Sequence, residues 1–265
     1  QRLSKGCHRQ LRVELLQRGE SINLDPDLKA KCSSDIKEFC PNINPGRAHV
    51  VECLRKKTHE LSDGCRQMLF KREQVEALDS GVDYTLMSTC KSMVQIHCRN
   101  EKPESIIPCL HRVKDTGDFS TDCRKVLMQR QILRNKDIRL NPLLFKSCKM
   151  DIPKFCKDVF TSQLEGKEFE GRVISCLKVI FRSHKLSPKC EVHIGEIIRE
   201  AARDYRQDPK LTQACSTEIK TFCMDTLAAS LDEDNNEGVE ECLKTKFVEN
   251  KIENKVCKTE IARIL

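Results

Sequence analysis

Residues 25–65 read DPDLKAKCSSDIKEFCPNINPGRAHVVECLRKKTHELSDGC. Four cysteines punctuate this stretch: Cys32, Cys40, Cys53 and Cys65. The punctuation returns three times, at Cys90, Cys98, Cys109 and Cys123, at Cys148, Cys156, Cys176 and Cys190, and at Cys215, Cys223, Cys242 and Cys257. In every set seven residues separate the first two cysteines, and 24 residues separate the fourth from the first of the next set. Cys7 stands at the same interval before Cys32, so it takes the fourth position of a preceding, truncated repeat and accounts for the odd total of 17 cysteines. Between the second and third cysteines lie 12, 10, 19 and 18 residues. Fixed gaps mark rigid elements that meet at a set geometry, and the variable gap marks a loop that tolerates insertion.

Helix signals recur in phase with the cysteines. Seven residues before each first cysteine stands Asp25, Asp83, Asn141 or Asp208, a side chain suited to accept a free amide of a helix's first turn. Pro26, Pro142 and Pro209 follow three of them, and proline suits the first helical position. Leu28, Leu86, Leu144 and Leu211, then Ile36, Val94, Ile152 and Ile219, then Phe39, Phe155 and Phe222 lie on one helical face with the first cysteine. This is helix one of each repeat. His97 takes the phenylalanine slot in the second repeat. Pro153 predicts a kinked or late-starting helix in the third, with Asp151 as its cap. Helix two carries the third cysteine, always followed by leucine (Leu54, Leu110, Leu177, Leu243). Helix three begins near Ser62, Ser120, Ser187 or Asn254, with Ser4 before Cys7, and holds the fourth cysteine in its first turn. No segment alternates with the period of a strand.

The expected fold is therefore all-α: an elongated tandem array of disulfide-stapled helical repeats, about three helices each, with neighbour packed on neighbour. Residues 1–24 form the end of a truncated repeat, and 25–82, 83–140, 141–207 and 208–265 are the complete ones. Eight residues of helix span about 12 Å, too far for a disulfide, so the first two cysteines of a set do not pair within an intact helix one. If helix two runs back beside helix one, nested pairing joins like levels. It gives Cys32–Cys65, Cys40–Cys53, Cys90–Cys123, Cys98–Cys109, Cys148–Cys190, Cys156–Cys176, Cys215–Cys257 and Cys223–Cys242, with Cys7 unpaired. Linkage of each fourth cysteine to the next first one is the rival.

Composition sets the class. With no Trp, two Tyr and 33% charged residues, the repeats have thin cores, and such units need staples. The cysteine density, without C-x-x-C or C-x-C, fits an oxidising compartment. No stretch has the length of a membrane span and no signal peptide opens the chain, so it reads as a piece of a longer secreted or luminal protein. There is no N-x-S/T sequon.

The pattern C-x3-I-x2-F-C, then C-L, then L-S-x2-C, clearest in Cys32-Ser-Ser-Asp-Ile-Lys-Glu-Phe-Cys40 and Leu61-Ser-Asp-Gly-Cys65, resembles the repeats of the Golgi cysteine-rich fibroblast growth factor receptor family over the whole chain. The resemblance implies a luminal segment of a type I membrane glycoprotein, anchored through a segment outside this chain. It also implies Golgi or cell-surface residence and binding of fibroblast growth factors, E-selectin and transforming growth factor precursors.

The residues themselves point to binding rather than catalysis. A zinc site at Cys98, Cys109, His97 and His111 is conceivable, but the other repeats keep the cysteines without the histidines, so disulfides are the expectation. No metal, cofactor or catalytic residue is expected. A catalytic cysteine needs a free thiolate and a base, and the repeat register uses all but Cys7. Charge supplies two candidate surfaces. Residues 90–147 carry 12 Lys/Arg against 6 Asp/Glu, with Arg124, Lys125, Arg130, Arg134, Lys136 and Arg139 among them. They are a candidate site for sulfated glycans or acidic proteins. Residues 215–265 carry 7 against 11, and Asp232, Glu233, Asp234, Glu237, Glu240 and Glu241 are a candidate site for a basic growth factor. The competing reading of both is solvated helix face. Nucleic acid is not an expected partner. The function read here is a binding scaffold for secreted proteins. Its alternatives are a growth-factor co-receptor of the helical cysteine-rich type and a disulfide-exchange enzyme.

Overall fold

The computed structural model describes residues 4–161, 169–229 and 237–265. Among them there is no β-strand, and all 17 cysteines are included. The described residues fall into two compact units, up to Arg130 and from Gln131 onward.

The first unit opens with the helix Lys5–Glu20, a third helix by register, capped by Ser4. Repeat one follows with helices Pro26–Phe39, His49–Lys56 and Asp63–Leu78. Repeat two has Tyr84–Thr89 and Lys91–His97, then Ile106–Val113, then Thr121–Lys136, whose last turns belong to the second unit. In the second unit, repeat three has Pro142–Ser147, Asp151–Phe155, a short Lys157–Thr161, Arg172–Phe181 and Pro188–Arg203. Repeat four has Pro209–Ala214, Ser216–Phe222, a short Met224–Ala229, Glu237–Val248 and Lys255–Ile264.

Each repeat has its own apolar core built around its own four cysteines. Two bridges staple it, in nested order. The inner bridges Cys32–Cys65, Cys90–Cys123, Cys148–Cys190 and Cys215–Cys257 tie helix one to the first turn of helix three, with Cα atoms 4.6–4.8 Å apart. The outer bridges Cys40–Cys53, Cys98–Cys109, Cys156–Cys176 and Cys223–Cys242 tie the end of helix one to helix two. All eight cysteines of the inner bridges are 0% exposed. Cys7 is free and exposed.

Helix one is continuous only in repeat one. In the others it breaks at the first cysteine, where Cys90, Cys148 and Cys215 have ψ of 9°, 9° and 16°. The turn survives across the break, because Cys90 N–H still donates to Leu86 O and Cys90 O accepts from Val94. Pro153 falls in the first turn of the second half-helix, where its missing N–H leaves no bond unmade. Asp151 is not that helix's cap: Met150 holds the cap position, and the Asp151 carboxylate accepts from Ser187 N and Oγ at 3.1 and 2.6 Å. Asp35 takes Ser62 N and Oγ in the same way, at 2.6 and 2.8 Å. This latch ties helix one to the start of helix three beside the inner bridge. Phe222, expected in the core, is exposed.

The constant 24-residue interval contains an unforeseen device. Helix three ends, a side chain caps a single 3-10 turn, and a second side chain then caps helix one. The pairs are Ser21 and Asp25, Asp79 and Asp83, Asp137 and Asn141, Asp204 and Asp208. Second caps accept from Leu28, Leu86, Leu144 and Leu211 N–H, as their spacing predicts.

The aspartates among these second caps are also held by cations. Arg72 contacts Asp25 at 3.3 Å. Asp83 is held by Arg130 at 2.5 Å, and Arg130 also reaches Glu52 of the preceding repeat at 2.7 Å. Arg55 joins Glu52, Glu73 and Glu76 in the same cluster. Within the second unit, Lys178 of repeat three and Arg263 of repeat four meet on Asp208 at 3.0 and 2.7 Å. Burial works to raise the Glu52 and Asp208 carboxyls. The guanidinium charges of Arg55 and Arg130 on Glu52, and the Lys178 ammonium and Arg263 guanidinium on Asp208, overcome it and hold both well below the usual carboxylate range. Asp83 is likewise lowered by Arg130 against its burial.

Three outcomes follow. Peptide mapping of a Cys32→Ser, Cys65→Ser protein finds the other seven bridges unchanged, because no core shares a bridge with its neighbour. Arg130→Met leaves the buried Asp83 carboxylate without the cation paired with it, while Glu52 keeps Arg55, and urea melts of the protein show a loss of about 3–5 kcal/mol. Stability from depressed carboxyls is present above their unfolded pKa and lost as pH falls through the folded one. Thermal melts are therefore flat from pH 8 to 5 and fall below about pH 4, near the reference values of Asp and Glu.

Candidate binding surfaces

The basic candidate changes character in the structure. Arg130 and Arg134 are 4% and 5% exposed, not surface groups. Their offsets from Cys123 are the reason: Cys123, Leu127, Arg130 and Arg134 follow one helical stripe, and that stripe faces the core. Arg139 pairs with Asp137 at 2.8 Å and lies over the Phe169 ring at 4.3 Å. Arg124 and Lys136 are half-buried, and Lys125 is exposed. The cations counted in the sequence do not assemble into one open basic face.

The acidic candidate is partly visible. Asp232, Glu233 and Asp234 lie outside the described residues. Glu237 begins the helix Glu237–Val248. Glu240 is buried and pairs with Lys244 at 2.7 Å, so it is removed from the candidate surface. Glu241 is exposed on the same helix.

The metal alternative fails on its donors. Cys98 and Cys109 are joined to each other. His97 Nε2 is 3.1 Å from Asp118, and His111 Nε2 is 3.3 Å from Lys114 Nζ. Among the described residues no group of three or more His, Cys, Asp or Glu side chains could hold a metal, and no helix is long and apolar enough to cross a membrane.

Described residues of each unit line a concavity. In the second unit Lys178, Ala201, Ala202, Asp208, Arg263 and Ile264 line a cavity of about 90 Å³, room for a few waters. In the first unit a shallow groove runs beside the helix Lys5–Glu20, along His8, Arg12 and Leu16. On this helix Leu11 is 42% exposed, whereas Leu69, Leu127, Ile194 and Ile261, four residues past their own fourth cysteines, are at most 1% exposed. Cys7 and Leu11 thus present openly the stripe that every later third helix buries.

Comparison with known proteins agrees with this architecture. The family model described as cysteine rich repeat matches four times, at residues 5–62, 63–118, 121–185 and 188–251. Golgi apparatus protein 1 of Gallus gallus and of Homo sapiens are each 42% identical over the whole chain, which spans 23% and 22% of their lengths. The Golgi apparatus protein 1 homolog of Caenorhabditis elegans is 30% identical over 99% of the chain, which spans 24% of it. The chain thus covers less than a quarter of each of these relatives. None of the names denotes an enzyme. No solved structure matches. The chain belongs to the cysteine-rich repeat family, as a tandem of repeats homologous to those of Golgi apparatus protein 1.

Proposed function

We propose that this segment is a binding scaffold for secreted proteins in the Golgi lumen or at the cell surface. Fibroblast growth factors, E-selectin and transforming growth factor precursors are the partner classes implied by the family resemblance. Residues 25–82, 83–140, 141–207 and 208–265 are its modules, each with its own core. One observation carries the reading: residues that recur from repeat to repeat are consumed inside it. Cysteines close the two bridges, Leu28, Leu86, Leu144 and Leu211 are buried, and the helix-one caps hold amides. What remains for recognition is the non-repeating surface, and loops on a rigid frame commonly carry it. The stretch before the third cysteine of repeat four is the most acidic of these, and a basic growth factor is its electrostatic complement.

The test replaces Asp232, Glu233, Asp234, Glu237 and Glu241 with Ser or Gln and leaves the buried Glu240 in place. Binding of a basic fibroblast growth factor is measured across salt concentrations. The expected result is weaker binding and a flatter salt dependence, since exposed charges are screened over about 8–10 Å at physiological salt. Unchanged affinity and slope would remove this loop from the binding site.

A further inference from the structure

The helix-one caps are not equivalent. Asp25, Asp83 and Asp208 are carboxylates, each with a cation on it. The third repeat has Asn141 instead, and the cation that meets it is Arg134, whose Nη2 donates to Asn141 Oδ1 at 2.6 Å. Arg134 is 5% exposed. Its Nε and Nη1 are buried with no hydrogen-bond acceptor, and among the described residues no carboxylate pairs with it. Burial alone acts on this guanidinium, pulling its pKa down to about 10, so it stays charged at neutral pH. A buried charge held by one neutral amide is unfavourable, and opening to water relieves it.

We propose that the junction between Arg134 and Asn141 is a built-in opening point of the fold, where the start of helix one in the third repeat detaches locally and releases the Arg134 guanidinium to solvent. Equivalent segments in repeats two and four lack this drive, because there the cation and the cap carboxylate satisfy each other. Sub-global openings of this kind set local exchange rates without unfolding the rest of the chain. The Cys148–Cys190 bridge still tethers the freed helix, so the opening is bounded and reversible.

Amide hydrogen exchange on the full chain reads it directly. The amides of Phe145 and Cys148, bonded to Asn141 O and Leu144 O, are expected to exchange faster than their counterparts Met87, Cys90, Thr212 and Cys215. Asn141→Asp supplies the missing carboxylate and keeps a side chain that caps the other three repeats. It is expected to slow exchange at Phe145 and Cys148 at least tenfold, equivalent to about 1.4 kcal/mol. In an Arg134→Met background the same substitution is expected to give no such slowing, and Arg134→Met alone to leave exchange unchanged or slower. Equal protection of the three segments, no slowing in Asn141→Asp, or faster exchange in Arg134→Met would each overturn the proposal.

Discussion

The bridge between the first and fourth cysteines is the constraint on which the rest of each repeat depends. It joins the middle of helix one to the first turn of helix three, fully buried, with Cα atoms under 5 Å apart. Leucine four residues before the first cysteine and Leu69, Leu127, Ile194 or Ile261 four after the fourth pack around the sulfurs. A chain with a third of its residues charged and no tryptophan has too little apolar surface to hold three short helices by burial alone. By chain entropy a bridge closing 33 or 42 residues contributes about 3–4 kcal/mol per repeat. The outer bridge then fixes helix two. The variable loop is free to change length because it is closed at both ends by that bridge.

Neighbouring repeats are coupled differently within each unit. There the contact is polar: in the first unit Arg130 of repeat two bridges its own cap Asp83 and Glu52 of repeat one, and in the second Asp208 of repeat four is shared by its own Arg263 and by Lys178 of repeat three. Backbone adds to this. Ala48, at φ 59°, donates its N–H to Glu20 O, and Gly171, at φ 74°, donates to Lys136 O. In both cases the start of helix two satisfies a carbonyl that the preceding third helix leaves open. Left-handed backbone is required at these two positions, and glycine meets that requirement without strain at one of them.

Spacing made the all-α class, the four repeats and the caps legible in the sequence, because cysteine and N-cap residues have few other uses at fixed intervals. Sequence reasoning failed where a charged side chain was equated with a solvent face. Arg130 and Arg134 lie on the buried stripe of their helix, and Cys123 and Leu127 at offsets of zero and four already marked it. The 3-10 turn was also readable: a polar residue four before each helix-one cap, Ser21, Asp79, Asp137 and Asp204, recurs as regularly as the cap itself. The break of helix one at its cysteine had no such signal in repeats two and four. A turn with ψ near zero is open to most residue types, and the tertiary bridge decides it.

Because no bridge crosses from one repeat to the next, oxidative folding of this chain can advance with synthesis. Each set of four thiols is complete once about sixty residues have entered an oxidising lumen, and its partners are then already nearer to one another than to any cysteine still to arrive. Mispairing is limited to a few combinations per set instead of the vast number open to sixteen thiols at once. A long protein assembled from such units meets the same small sorting problem at every step, however many units it contains.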